Sequence, residues 1–196
     1  MKVLYLMRHG ETLFNKRKKI QGWCDSPLTE LGERQALGAR KYFEENHIVF
    51  DHAYSSTSER CCDTLELATN HAIVYQRLKG LKEMNFGLYE GESEDLNPPR
   101  DQFETFFVQY GGESREDVKK RLCQTCTDIM EKDNHQCVLA VSHSGACYHF
   151  MRSFVDEKTL EVQRVKGFSN CCIFKYAYEN GTFQLLEVIR PLPVDI

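Results

Sequence analysis

Arg8 and His9 follow the apolar run Lys2-Val3-Leu4-Tyr5-Leu6-Met7 without a spacer, and Gly10, Glu11 and Thr12 come straight after. A run that short and that apolar reads as a buried strand, not a helix. It delivers a guanidinium and an imidazole to the carboxyl end of a core strand, where ligands sit in open α/β sheets. Further along, Arg60 follows a strand ending near Ser55, and Glu83 follows one ending near Leu78. His143 ends the strand 136–141 and precedes Ser144-Gly145. If these strands are parallel, Arg8, His9, Arg60, Glu83 and His143 meet at one edge of the sheet.

That set suits a phosphoryl group. Guanidiniums present N–H donors in a fixed fork that matches phosphate oxygens. The N–H groups of a helix starting at Ser144 would add partial positive charge. A neutral imidazole is nucleophilic near pH 7 because its ordinary pKa is ~6.5. Attack on phosphorus would give a phosphohistidine and split one displacement into two easier ones. The leaving oxygen needs a proton, and Glu83 is the carboxylate the sequence places nearby. Burial under a lid would raise its pKa while the arginines would lower it.

The elements that must position these groups alternate between strand and helix. Thr29 is the expected N-cap of a helix with Ala36, Ala39 and Phe43 on one face. Residues 52–55 read as a short strand and a helix follows from about Thr57, with Cys61, Leu65 and Ala68 at core spacing. Residues 72–75 read as a strand, 114–130 as a helix, and 136–141 as a buried strand. A helix is expected from Ser144 to about Val155. Asn180-Gly181 signals a hairpin between strands at 172–178 and 182–189. The expected architecture is a three-layer α/β/α sandwich with a mostly parallel sheet and an antiparallel strand near the C-terminus. Residues 84–112 break the rhythm with Asn97-Pro98-Pro99 and the aromatics Phe103, Phe106, Phe107 and Tyr110. They read as a lid excursion over the site within a single domain spanning 1–196.

Bulk properties narrow the function. The chain has 196 residues, 41% apolar and 28% charged, with 25 Lys and Arg against 29 Asp and Glu. A net charge of −4 argues against a general nucleic-acid binder, which needs a basic face. No apolar run approaches the ~20 residues that span a bilayer, and residues 1–7 lack a signal peptide's apolar core. The expected location is cytoplasmic. Nine cysteines are read as small core side chains, including Cys123 and Cys126, whose spacing falls on the apolar face of the 114–130 helix.

Blocks of sequence around these residues resemble the histidine phosphatase superfamily, the phosphoglycerate-mutase-like proteins. Arg8-His9-Gly10-Glu11-Thr12 with Asn15 is similar to its signature. Gln21-Gly22-Trp23-Cys24-Asp25-Ser26-Pro27-Leu28-Thr29 with Gly32 resembles its next block. Ser55-Ser56-Thr57-Ser58-Glu59-Arg60 with Thr64, then Leu81-Lys82-Glu83-Met84-Asn85-Phe86-Gly87 with Glu90-Gly91, follow in family order. Gly111-Gly112-Glu113-Ser114 with Asp117-Val118, and Val141-Ser142-His143-Ser144-Gly145, complete the set. Any one histidine at a strand end is more often a core or surface residue; the ordered set reverses that. The resemblance implies that His9 is phosphorylated, Glu83 donates the proton, and Arg8, Arg60 and His143 bind the phosphoryl group. It implies that Asn15 bonds a phosphate oxygen and that Gln21 and Gly22 lie near the substrate. Ser144 stands where many members have glycine; its N–H remains able to donate.

Between phosphatase and mutase, the excursion decides the expectation. From Met84 to Gly112 the only basic residue is Arg100, against Glu90, Glu92, Glu94, Asp95, Asp101 and Glu104. That balance opposes retention of a bisphosphorylated intermediate. Phe86-Gly87-Leu88-Tyr89-Glu90-Gly91 resembles the phosphatase branch. The expected reaction is hydrolysis of a small-molecule phosphate ester, with no organic cofactor and no metal. A 2,3-bisphosphoglycerate-dependent phosphoglycerate mutase, a metallohydrolase using His9, His143 and Glu83, and a non-catalytic phosphate-binding module remain alternatives.

Overall fold

Strand β1, Lys2–Arg8, sorts its side chains by parity. Leu4 and Leu6 enter one apolar cluster, Tyr5 and Met7 another on the opposite face. Both faces of the strand are therefore covered, as its continuous apolar run requires. The structure is a computed structural model describing residues 1–99 and 102–194. Arg100 and Asp101, two of the charges weighed above, lie outside the described residues.

Among the described residues, six strands form one sheet. They are β1, β2 (His52–Ser56), β3 (Tyr75–Leu78), β4 (Cys137–Ser142), β5 (Ile173–Glu179) and β6 (Thr182–Ile189). Their spatial order is β3-β2-β4-β1-β5-β6. The first four run parallel, and β5 and β6 are antiparallel. Register places Arg8 opposite Ser142, Ser55 opposite Val141 and Ser56 opposite Leu78. The carboxyl ends of β1, β2, β3 and β4 are thus level, and every expected site residue follows from that edge.

Helix α1 is a single turn, Leu13–Lys16, closed by a reciprocal cap between Thr12 and Asn15. Helix α2 spans Glu30–Glu45 with Thr29 as N-cap, and α3 spans Glu59–Ala68. They supply Ala36, Ala39 and Phe43, and Cys61, Leu65 and Ala68, to the Tyr5 face of the sheet. Helix α4 (Arg115–Met130) and helix α5 (Ser144–Met151) cover the Leu4 face with Leu122, Cys126, Ile129, Ala146, Cys147 and Phe150. The expected three layers are present, and Cys126 packs in the core with Cys123 against it.

Two expected elements differ, and one helix was not expected. The strand expected at 72–75 is β3 at Tyr75–Leu78. At a sheet edge with one partner, pairing with β2 fixes the strand, while the apolar Val74 stays 95% exposed. The helix from Ser144 stops at Met151, and a further helix, α6 (Glu157–Lys166), follows with Asp156 as N-cap. Only Leu160 of α6 is buried, so no apolar period marks it in the sequence.

The excursion packs as its own small core. Phe107 is buried, with the rings of Phe86, Phe103 and Phe106 edge-on to it at 4.9, 5.2 and 5.1 Å. Main-chain bonds tie it to the segment after α1. Ile20 N–H donates to Glu92 O at 2.8 Å, Gly91 N–H to Ile20 O at 2.9 Å, and Glu94 N–H to Lys18 O at 2.9 Å.

Candidate active site

His9 is positioned from both sides of β1. Its N–H donates to Ser142 O at 3.1 Å, and its carbonyl accepts from Cys171 N–H and from Asn170 Nδ2. The next amide, Gly10 N–H, donates to Thr64 Oγ1 at 3.0 Å. The His9 ring Nδ1 lies 2.7 Å from Gly10 O. A carbonyl can only accept, so Nδ1 carries the proton and Nε2 keeps its lone pair. His9 lines a cavity of about 230 Å³ together with Arg8, Asn15, Lys19, Gln21, Glu83, Phe86, Glu94, Asn97, Phe103 and Ser144.

Glu83 occupies the first turn of α5. Its Oε2 accepts from Gly145 N–H at 2.8 Å, and its Oε1 from Ala146 N–H at 2.8 Å and Met84 N–H at 2.9 Å. The helix start expected to face a phosphoryl group therefore holds this carboxylate instead, leaving Ser144 as the first-turn residue on the cavity. Oε2, with a single N–H, is the oxygen with room for a proton. Burial raises the Glu83 pKa, and the three backbone N–H groups and Arg60 pull it down.

Arg60 and His143 lie behind the cavity wall, each 0% exposed. The Gln21 side-chain amide, with its oxygen turned to Arg60, accepts from Nε at 2.8 Å. Nη1 donates to Cys24 O at 2.9 Å and Asp25 Oδ1 at 2.8 Å. Nη2 donates to Gly22 O at 2.9 Å and His143 Nδ1 at 2.8 Å. The guanidinium expected to offer its fork to the cavity is thus fully engaged by protein in this arrangement. A buried cation still acts through its field, because little water screens it. The His143 ring stands edge-on to that of His9, centroids 5.3 Å apart.

The field is visible in the imidazoles. Burial first, then Arg60 and Arg8, hold the His9 pKa well below its ordinary 6.5. Burial, Arg60 and His9 do the same for His143. Both rings are therefore neutral at pH 7, the form a nucleophile needs.

The structure thus brings Arg8, His9, Asn15, Gln21, Glu83 and Ser144 to one cavity, with Arg60 and His143 directly behind. Gly22 is not on the cavity: its N–H goes to Glu90 and its carbonyl to Arg60. Lys19, Glu94 and Asn97 line the cavity without having been singled out. The signal for Lys19 was the basic run Lys16-Arg17-Lys18-Lys19 just after Asn15. Lys19 lies outside the 84–112 excursion and adds a cation to its acidic balance. Among the described residues no three His, Cys, Asp or Glu side chains gather as a metal site would. None of the described helices is long and apolar enough to cross a membrane.

A level edge of parallel strands carrying two histidines, two arginines and a buried glutamate defines a family, and the chain belongs to it: the pattern of the histidine phosphatase superfamily (branch 1) matches residues 4–190. Over 95 residues it is 41% identical to a 2,3-bisphosphoglycerate-dependent phosphoglycerate mutase of Buchnera aphidicola subsp. Cinara cedri, 46% of this chain and 41% of that protein. The chain thus aligns with under half of that relative's length. It is 28% identical over 187 residues to a probable phosphoglycerate mutase, GpmB, of Yersinia pestis, covering 91% of this chain and 86% of the relative. In fold it resembles a mutant phosphoserine phosphatase of Entamoeba histolytica solved with phosphoserine. That match has a TM-score of 0.79 and 26% identity, with 96% of each chain covered.

Proposed function

We propose that this protein hydrolyses small-molecule phosphate monoesters through a phosphohistidine on His9. The observation that carries this reading is the 2.7 Å contact of His9 Nδ1 with Gly10 O, which pins the proton there and leaves Nε2 as the nucleophile in a cavity shared with Arg8 and Glu83. In the first step a bond forms from His9 Nε2 to phosphorus and the ester P–O bond breaks. The proton on Glu83 passes to the leaving oxygen. In the second step a water oxygen attacks phosphorus, the N–P bond breaks, and the Glu83 carboxylate takes the water's proton. Arg8 and the Asn15 amide hold the equatorial oxygens, while buried Arg60 and neutral His143 stabilise charge from behind.

Hydrolysis is favoured over mutase chemistry because, among the described residues, the outer cavity offers one cation, Lys19, and one carboxylate, Glu94. A bisphosphorylated intermediate would meet little net positive charge there. The Lys19 ammonium, Asn97 amide and Phe103 ring suit a small leaving group with a polar or anionic end. Released phosphate from para-nitrophenyl phosphate and a panel of metabolite phosphates tests the reading, with a coupled assay for monophosphoglycerate isomerisation alongside. Isomerisation outrunning hydrolysis would favour the mutase, and neither activity would leave a binding module.

A further inference from the structure

Glu90 has no part in the chemistry above, yet its carboxylate joins two loops that do. Oε2 accepts N–H from Gly22 at 3.0 Å and from Cys24 at 2.9 Å. Oε1 accepts N–H from Trp23 at 2.7 Å and from Phe86 at 3.0 Å. Three consecutive amides of the 22–24 loop converge on this one group, which is the geometry of a main-chain anion nest. An ionised carboxylate has about four lone-pair sites, and these bonds use them.

The same loop turns its carbonyls the other way. Gly22 O accepts from Arg60 Nη2 and Cys24 O from Arg60 Nη1, each at 2.9 Å. Arg60 Nη2 in turn donates to His143 Nδ1. Trp23 Nε1 donates to the main-chain oxygen of Glu83 at 3.1 Å. A Cβ at Gly22 would stand 2.4 Å from Glu90 Oε1 and 2.1 Å from Met84 O, so only bare backbone lets the loops close this tightly. Peptide units are rigid planes: the Trp23 N–H fixed on Glu90 fixes the Gly22 carbonyl of the same unit, and the Cys24 N–H anchors the residue whose own carbonyl begins the next unit.

We propose that Glu90 is a positioning residue, whose carboxylate holds the 22–24 loop so that the Gly22 and Cys24 carbonyls aim Arg60 at His143. The reaction it serves rests on the reading above, but the aim of Arg60 is measurable through phosphate binding alone. An amide at position 90 keeps the shape, loses the charge, and sets an NH₂ against main-chain N–H donors. The loop then relaxes and Arg60 loses its fixed carbonyls.

The test compares wild type, Glu90→Gln, Arg60→Ala and the double variant, by calorimetric titration with inorganic phosphate and by para-nitrophenyl phosphate kinetics. Trp23, the one tryptophan, reports the loop by its emission. The expected result is phosphate affinity weakened about tenfold by Glu90→Gln, with shifted Trp23 emission. The double variant should bind phosphate no more weakly than Arg60→Ala alone, because the two residues act as one unit. Affinity within about twofold of wild type in Glu90→Gln, or losses that multiply in the double variant, overturns the proposal. If Glu90→Gln does not fold, Glu90→Asp, charged but one methylene short, is read by the same criteria. Phosphate binding without hydrolysis in the wild type would sink the phosphatase reading and leave this coupling to be judged on affinity. A wild type that binds no phosphate sinks both.

Discussion

Arg60 Nη2 donates to His143 Nδ1 at 2.8 Å, and this single bond fixes the histidine's proton on the other nitrogen. His143 Nε2–H is then the donor to Ser56 Oγ, also at 2.8 Å. One buried guanidinium therefore sets the tautomer of one imidazole and lowers the pKa of both.

Arg60→Ala is expected to lower kcat/KM for para-nitrophenyl phosphate by about 10³-fold, the scale of losing preorganised charge stabilisation. It strands the Gly22 and Cys24 carbonyls and Asp25, so stability should fall by about 3 kcal/mol in urea titration. Activity within a few fold of wild type would remove Arg60 from the mechanism.

His9→Ala should abolish turnover while phosphate still binds, because Arg8, Asn15 and Arg60 remain. Rapid base quench of wild type with labelled ester should trap a base-stable label that acid then releases, and that the variant lacks. Label appearing in the variant would place the nucleophile elsewhere.

The pH profile should lean to acid. Glu83 must be protonated to donate, so kcat/KM should fall as pH rises through its raised pKa. Burial, Arg60 and Arg8 hold the His9 pKa well below the ordinary histidine value of ~6.5, so no lower limb is expected near that value. Glu83→Gln should remove the upper limb, measured between about pH 4 and pH 9. An unchanged limb in that variant would assign it to another group.

Stability should move in the opposite direction, falling as pH falls, for a different reason. His9, His143 and His149 are buried neutral, His149 with its pKa pressed down to about 3 by burial, Arg115 and Arg152. The unfolded chain binds protons on these rings below ~6.5 and the folded chain does not. Stability is whole above pH 6.5 and declines as pH falls toward each folded pKa, by at most about 1.4 kcal/mol per pH unit for each ring. Glu83, with its raised pKa, opposes this: its share is present at low pH and is lost as pH rises through its folded value. His149→Gln should flatten the fall of melting temperature between pH 6.5 and 5, and an unchanged slope would contradict its assignment.

Lys19→Ala should raise KM for esters whose leaving group bears a carboxylate by about tenfold, with little change for para-nitrophenyl phosphate. Equal losses on both would mean that Lys19 serves the phosphoryl end.

The parallel edge and its chemistry were legible because β1 and β4 are buried on both faces and each runs directly into a reactive side chain. Arg8, His9, Glu83 and His143 needed only strand order to meet. Several features were not legible. Glu83 capping α5 depends on a fold-back of residues 79–83 that no local spacing encodes. The withdrawal of Arg60 behind the wall depends on where Gly22 and Cys24 turn their carbonyls. Lys19 reaches the cavity because residues 18–20 pair with 91–94, a ladder between two irregular segments. The edge strand β3 and the surface helix α6 lack periodic burial, so their bounds came from tertiary partners instead.

Strand β4 lies between β1 and β2, although it follows them by some eighty residues or more in the chain. In the finished sheet Cys137–Ser142 separates β1 from β2, and chain order means that both are synthesised before it. Until that insertion, Arg8 and Ser56 have no common neighbour, and Arg60 has no imidazole to hold. Half-made copies would therefore be chemically mute, and the pocket would close as one late event in the maturation of the nascent chain.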